Sequence, residues 1–151
     1  MRGGGLNNFT EQTYDMVVKQ SVLIVDDDSD DRHFVQEAFR LSKIDVDFVE
    51  LTNANNIVSK LTLIERDHPV SLILLDLNMP GKNGIEALRE IKEDVKFTHI
   101  PTVVLTTSNT DKDRDDSYSM GANCFLSKPN SFDHYLKMLQ SVAKLYLPVV
   151  N

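Results

Sequence analysis

Three short runs of apolar residues without polar alternation, Val22-Leu23-Ile24-Val25, Leu72-Ile73-Leu74-Leu75 and residues 101–105, leave this chain few folds to choose from. A strand covered on one face alternates apolar with polar residues. A run that never alternates belongs to a strand buried on both faces, as in a parallel sheet layered between helices. Residues 46–51 and 123–126 add two weaker strands. Between the runs, apolar residues recur at helical spacing: Phe34, Val35, Ala38 and Leu41, then Ile57, Leu61 and Ile64, then Ile85, Leu88 and Ile91. The last stripe is the clearest, with Tyr135, Met138, Leu139, Val142, Leu145 and Tyr146. Each can lay one face on the sheet. Ser131 is expected to cap that last helix and Pro148 to stop it. Residues 110–120 form the weakest helix, because Asp111, Lys112, Asp113, Arg114, Asp115 and Asp116 leave little apolar surface to anchor it, and motion is expected there.

Five strands alternating with five helices make a doubly wound α/β sheet, whose ligands sit beyond the carboxyl ends of the strands where the strand order reverses. With 151 residues, 41% of them hydrophobic, one core and one domain are expected. Residues 1–20 open on Arg2-Gly3-Gly4-Gly5 and carry no apolar stripe, so they read as a flexible leader, with the domain spanning 21–151 and no output domain after it. The end of the chain, Leu145-Tyr146-Leu147-Pro148-Val149-Val150, is apolar enough to pack back on the domain or into a partner. A net charge of −7 argues against nonspecific binding of nucleic acid. The one cysteine, Cys124, has no partner for a disulfide, and no apolar run approaches the roughly twenty residues of a membrane span. A cytoplasmic protein is the expectation.

The strand ends carry the polar residues. The first strand runs into Asp26-Asp27-Asp28, the third into Asp76 and the fourth into Thr106, while Ser127-Lys128-Pro129 follows the fifth. Carboxylates crowded at one sheet edge raise one another's pKa and are costly to bury unless something positive joins them. Oxygen donors without His or Cys suit a hard divalent cation, Mg2+ or Mn2+. An oxygen nucleophile, a cation, a hydroxyl and an ammonium together are the parts that phosphoryl transfer requires. Asp76 is the candidate nucleophile. The peptide before Pro129 has two accessible isomers, and a cis bond there would fix the direction of Lys128.

Asp26-Asp27 after an apolar strand, Asp76-Leu77-Asn78-Met79-Pro80-Gly81 with Gly84 beyond, Thr106 and Lys128-Pro129 together resemble the receiver domain of two-component response regulators, from Ser21 to about Tyr146. The resemblance implies a flavodoxin-like fold with strand order 2-1-3-4-5. It implies phosphorylation of Asp76 by a sensor histidine kinase. Asp26, Asp27, Asp76 and the backbone carbonyl of Asn78 would hold Mg2+, and Thr106 and Lys128 would contact the phosphoryl group. It also implies a protein that catalyses its own phosphorylation and dephosphorylation rather than a turnover enzyme, and that signals through protein contacts. Phe125 stands where the family carries a switch aromatic whose ring follows Thr106 inward, although Phe lacks the hydroxyl of the commoner Tyr. Thr107 replaces a frequent Ala or Gly and narrows access to the site. The run Asp26-Asp27-Asp28-Ser29-Asp30-Asp31-Arg32 and the Leu-Pro ending look similar to single-domain regulators paired with phytochrome-type kinases. Many of those dimerise through the fourth helix, fifth strand and fifth helix.

Three other readings compete. A calcium loop over Asp26, Asp28, Asp30 and Glu37 has Asp31 where the sharp turn needs Gly. An aspartyl-phosphate hydrolase usually places a second acid two residues beyond its nucleophile, and that position holds Asn78, whose amide cannot give and regain a proton. A phosphate-independent scaffold on the same fold leaves the polar strand ends without a purpose.

Overall fold

The computed structural model of the chain describes residues 19–147. Most of the leader, together with Pro148, Val149 and Val150, lies outside the described residues. The elements run β1 (Ser21–Val25), α1 (Ser29–Leu41), β2 (Asp47–Leu51), α2 (Ile57–Asp67), β3 (Val70–Leu75), α3 (Gly84–Glu93), β4 (Thr102–Thr106), α4 (Asp111–Ser119), β5 (Cys124–Ser127) and α5 (Phe132–Tyr146). All five strands are parallel, in the order β2-β1-β3-β4-β5. Because β1 pairs with β2 on one side and with β3 on the other, the chain reverses its winding between β1 and β3, and the crevice at their carboxyl ends is where the fold leaves room for a ligand.

Alternate residues of the buried strands feed two separate cores. Val22, Ile24, Leu72, Leu74, Val103 and Leu105 face α1 and α5, meeting Val35, Ala38, Phe39, Leu139 and Val142. Leu23, Val25, Ile73, Leu75 and Val104 face the other way, against Ile57 and Leu61 of α2 and Leu88 and Ile91 of α3. Uninterrupted apolar runs are therefore consumed on both faces, as their lack of alternation requires.

Two helix faces differ from expectation. On α1 the buried residues are Val35, Ala38 and Phe39, whereas Phe34 and Leu41 are 38% and 49% exposed. With the stripe centred on Val35, Ala38 and Phe39, the rotation of about 100° per residue puts residues 34 and 41 together on one flank, roughly 100° around the helix from the line of contact. Phe39 also meets Phe48 of β2 edge to face, with ring centroids 5.4 Å apart. On α5, Leu145 is 71% exposed and Ala143 takes its place in the core. Ser131 caps α5 as expected, its hydroxyl accepting from the His134 N–H.

Helix α4 buries only Ser117, in keeping with its charge-rich sequence. Its order comes from local bonds: the Thr110 hydroxyl accepts from the Asp113 N–H at its start, and Lys112–Asp116 and Arg114–Asp111 pair along its surface. Such exposed pairs contribute little each, about 0.3–0.5 kcal/mol.

Gly84 opens α3 with its Cα hard against the turn after β3. A Cβ there would lie 2.6 Å from the Leu77 Cα and 2.7 Å from the Asp76 carbonyl oxygen. Only glycine lets the helix start so close to the residue that ends β3. Gly81, in the same turn, has φ +86 and needs the left-handed freedom of glycine directly.

Candidate functional site

Strand register brings the acidic residues together. Val25 and Leu75 are paired across β1 and β3, so the chain leaves both strands at the same level, with the Asp76 N–H donating to the Val25 carbonyl at 2.9 Å. Asp26 in turn donates its N–H to Leu51 at the end of β2, at 2.9 Å. Asp26 and Asp76 are therefore neighbours although 50 residues apart in the chain. Both are buried, at 5% and 4% exposure, while Asp27 beside them faces solvent. A carboxylate oxygen from each of the three lies within 4.8 Å of the others.

The backbone supports the two buried carboxylates in the same way. Asp26 Oδ1 accepts from the Asp28 N–H at 2.9 Å, and Asp76 Oδ1 from the Asn78 N–H at 3.1 Å, each two residues on. These turns aim the second oxygen of each group at Lys128. Its Nζ lies 2.9 Å from Asp26 Oδ2 and 3.2 Å from Asp76 Oδ2. The ammonium also lies 2.6 Å from Asp31 Oδ2 in the first turn of α1. All described peptide bonds are trans, the one before Pro129 included. The direction of Lys128 is set instead by its N–H, which donates to the Thr106 carbonyl at 2.7 Å, and by the three carboxylates around its tip.

Burial pushes the Asp26 carboxyl up to about 6, with the charge of Asp76 adding to the rise and the Asp28 N–H and Lys128 holding it back. Burial pulls the Lys128 ammonium down, but Asp31, Asp26 and Asp76 outweigh it and hold the proton more firmly than in water. One ammonium does not balance the four carboxylates of Asp26, Asp27, Asp31 and Asp76, and the rise at Asp26 comes first from its burial, with the like charge of Asp76 a smaller contribution. The donor set fits a hard divalent cation: it is all oxygen, contributed in part from buried positions, and short of positive charge.

Thr106 is fully buried at the end of β4. It reaches the carboxylates through Asn78, whose side-chain amide donates to the Thr106 hydroxyl at 3.4 Å and to the Thr107 hydroxyl at 3.3 Å. The Thr106 hydroxyl also accepts from the Ser108 N–H at 3.3 Å. Asn78 thus ties Asp76, through its backbone, to both threonines, through its side chain. Phe125, paired with Val104 across β4 and β5, is half-buried against the core on the α2 and α3 side. Its N–H donates to the Tyr118 hydroxyl of α4 at 3.1 Å.

Every residue singled out in the sequence for this site, Asp26, Asp27, Asp76, Asn78, Thr106, Phe125 and Lys128, lies at the carboxyl edge of the sheet or on the strand leading to it. Asp31 and Tyr135 were not anticipated as polar members of the group. The Tyr135 hydroxyl lies 3.4 Å from Asp31 Oδ1, and burial together with the Asp31 charge raises its pKa. Asp31 carries no distinctive signal in the sequence: its place in the first turn of the helix that the Asp28 cap starts is what brings it to the same edge.

Residues 22–140 match the response regulator receiver domain family. The chain belongs to that family. The receiver is 36% identical over 133 residues to response regulator Rcp1 of Synechocystis sp., covering 86% of this chain and 90% of Rcp1. Among solved structures it is similar to the Mn2+-bound form of Rcp1, with a TM-score of 0.77 at 36% identity, covering 89% of this chain and 98% of the other. It is also similar to the phosphorylated cyanobacterial phytochrome response regulator RcpA, with a TM-score of 0.79 at 29% identity and the same coverage. As a receiver, the chain is a component of phosphorylation-based signalling, with the flavodoxin-like strand order its sequence implied. No helix among the described residues is long and apolar enough to cross a membrane.

Proposed function

We propose that this receiver accepts a phosphoryl group on Asp76 from a sensor histidine kinase and passes the signal on by protein contact. The observation that carries the reading is the convergence of Asp26, Asp27 and Asp76 around a space also reached by Lys128. Asp26, Asp27, Asp76 and the backbone carbonyl of Asn78 are the groups that would hold Mg2+, or Mn2+ in its place. A bound cation supplies charge neutralisation for the incoming phosphoryl oxygens.

The protein's own residues do the rest. Asp76 forms an O–P bond as the donor's P–N bond breaks, the electron pair leaving with the donor imidazole. Lys128, already 3.2 Å from Asp76 Oδ2, stands ready to pair with a phosphoryl oxygen. The Thr106 hydroxyl is placed to donate to another once it turns from Asn78. In dephosphorylation, a separate step, water forms the new O–P bond, Asp76 departs as a carboxylate, and inorganic phosphate is released. Asn78 cannot act as a general acid, because an amide does not give and regain a proton in this range, which favours a slow switch over a hydrolase.

A phosphoryl group brings about 1.5–2 negative charges and three acceptor oxygens. Two new charge-assisted hydrogen bonds, at about 1.5–3 kcal/mol each, are enough to shift a population between two packings that differ by a few kcal/mol. Thr106 moving toward the phosphate would vacate space for Phe125, and the Tyr118 bond to the Phe125 backbone links that strand to α4. With only Ser117 buried, α4 is the element with least to lose by moving. The likeness to RcpA, a phytochrome response regulator, supports a phytochrome-type kinase as the donor; a cytoplasmic setting and a homodimer through α4, β5 and α5 complete the proposal as what the family resemblance implies.

The test is uptake of phosphoryl groups from acetyl phosphate, read by intact-protein mass spectrometry. One group per chain is expected with Mg2+ and none after chelation with EDTA; uptake indifferent to EDTA would remove the cation from the reaction.

A further inference from the structure

The nearest partner of Lys128 is not the proposed phosphoacceptor. Asp31 Oδ2 lies 2.6 Å from Nζ, against 2.9 Å for Asp26 and 3.2 Å for Asp76. The Lys128 side chain is 6% exposed and Asp31 20%, so this is an inner contact and not a solvated surface pair. Asp31 is itself fixed from three sides. It belongs to the first turn of α1, its N–H donates to the Asp28 cap at 3.2 Å, and its second oxygen lies 3.4 Å from the Tyr135 hydroxyl of α5. The Tyr135 ring is 3% exposed and packs against Phe34, so the hydroxyl has little freedom to turn elsewhere.

We infer that Asp31 is a positioning residue that holds the Lys128 ammonium back from Asp76 and so competes with the phosphoryl group for it. The inference rests on the phosphoacceptor reading of Asp76. Its physical basis is that one ammonium is shared among three fixed carboxylates. Each of its three N–H donors can serve only one of them well, and the closer the ammonium is held to Asp31 the weaker its attraction to a charge growing at Asp76. When the charge at Asp76 grows, Lys128 must shift its weight from Asp31 to the phosphoryl oxygens. The cost of that shift is set by the Asp31 charge and by the rigidity that Asp28 and Tyr135 give it. Asp31 would then keep the phosphorylated state from becoming too stable, which is what a reversible signal needs. Asp31 also adds a negative charge to the pocket, which favours the cation. Its loss should therefore move the affinities for an anion and for a cation in opposite directions, and a merely structural residue has no reason to do that.

The experiment uses fluoroberyllate as the phosphoryl mimic with the full chain, comparing wild type, Asp31→Asn and Asp31→Glu by isothermal titration calorimetry. At saturating Mg2+, Asp31→Asn is expected to bind fluoroberyllate roughly fivefold more tightly, the equivalent of a charge pair of about 1 kcal/mol. Without the mimic it is expected to bind Mg2+ more weakly than wild type. Asp31→Glu keeps the charge and is expected to restore both affinities toward wild type. Equal or weaker fluoroberyllate binding by Asp31→Asn overturns the inference while leaving the phosphoacceptor reading intact. A wild-type chain that binds no fluoroberyllate with Mg2+ present overturns that reading, and the inference with it.

Discussion

Asp76→Ala is expected to take up no phosphoryl group from acetyl phosphate under conditions in which the wild-type chain takes up one. Two buried carboxylates compete for the role of nucleophile, and the geometry separates them. Asp26 and Asp76 each accept one backbone N–H and each face Lys128, at 2.9 and 3.2 Å. Only Asp76, however, is followed by the turn that ends in Asn78, whose amide reaches Thr106 and Thr107. The hydroxyl and the ammonium that a phosphoryl group would need thus flank Asp76. Asp26 lies on the β2 side of the group, its N–H bonded to Leu51 and its carbonyl held by Arg32 at 2.8 Å. Its carboxyl, pushed up to about 6 by burial, remains a usable cation ligand near neutral pH. Asp26→Asn should accordingly leave slow uptake that rises with Mg2+ concentration, whereas Asp76→Ala should stay at background at any concentration. Uptake by Asp76→Ala at the wild-type level would move the phosphoacceptor to another residue.

Phe39→Ala should lower the unfolding free energy by about 3–5 kcal/mol, and Phe34→Ala by less than about 1 kcal/mol. The two residues sit five positions apart on α1 and are chemically identical, so the difference isolates burial. Phe39 is 1% exposed, lies among Val22, Ile24, Leu72 and Leu74, and stacks edge to face on Phe48. Its removal leaves a cavity between α1 and the two central strands that the sheet cannot close. Phe34 is 38% exposed and touches Phe132 and Tyr135 at the surface. Urea unfolding followed by circular dichroism gives both values. Equal losses would mean that α1 lies on the sheet with a different face.

That pair also shows where the sequence could and could not be read. Non-alternating apolar runs announced β1, β3 and β4 because burial on both faces leaves no polar position to spoil the pattern. The rotation of α1 was harder, because Phe34, Val35, Ala38, Phe39 and Leu41 nearly encircle one side of the helix. Which of them is inward depends on packing against β1 and β3, not on spacing alone. The carboxylates at the strand ends were legible because the doubly wound fold dictates where strand ends go, and each residue type there has a role in phosphoryl chemistry. Asp31 was not, since an acid in the first turn of a helix has an ordinary reason to be there, its favourable interaction with the helix dipole. Tyr135 read as one more member of an apolar stripe, and so it is, except that its hydroxyl ends beside Asp31.

Phosphoryl transfer to Asp76 requires a pocket in which acidic side chains from distant segments are made compatible by a doubly charged ion. Crystals of the protein grown with Mn2+ test this directly through the anomalous scattering of the metal. A single strong peak is expected within about 2.0–2.6 Å of oxygens of Asp26 and Asp76, with Asp27 bound directly or through a water. A Mn2+ ion bound elsewhere on the protein, with Asp26 and Asp76 still paired only through Lys128, would contradict it.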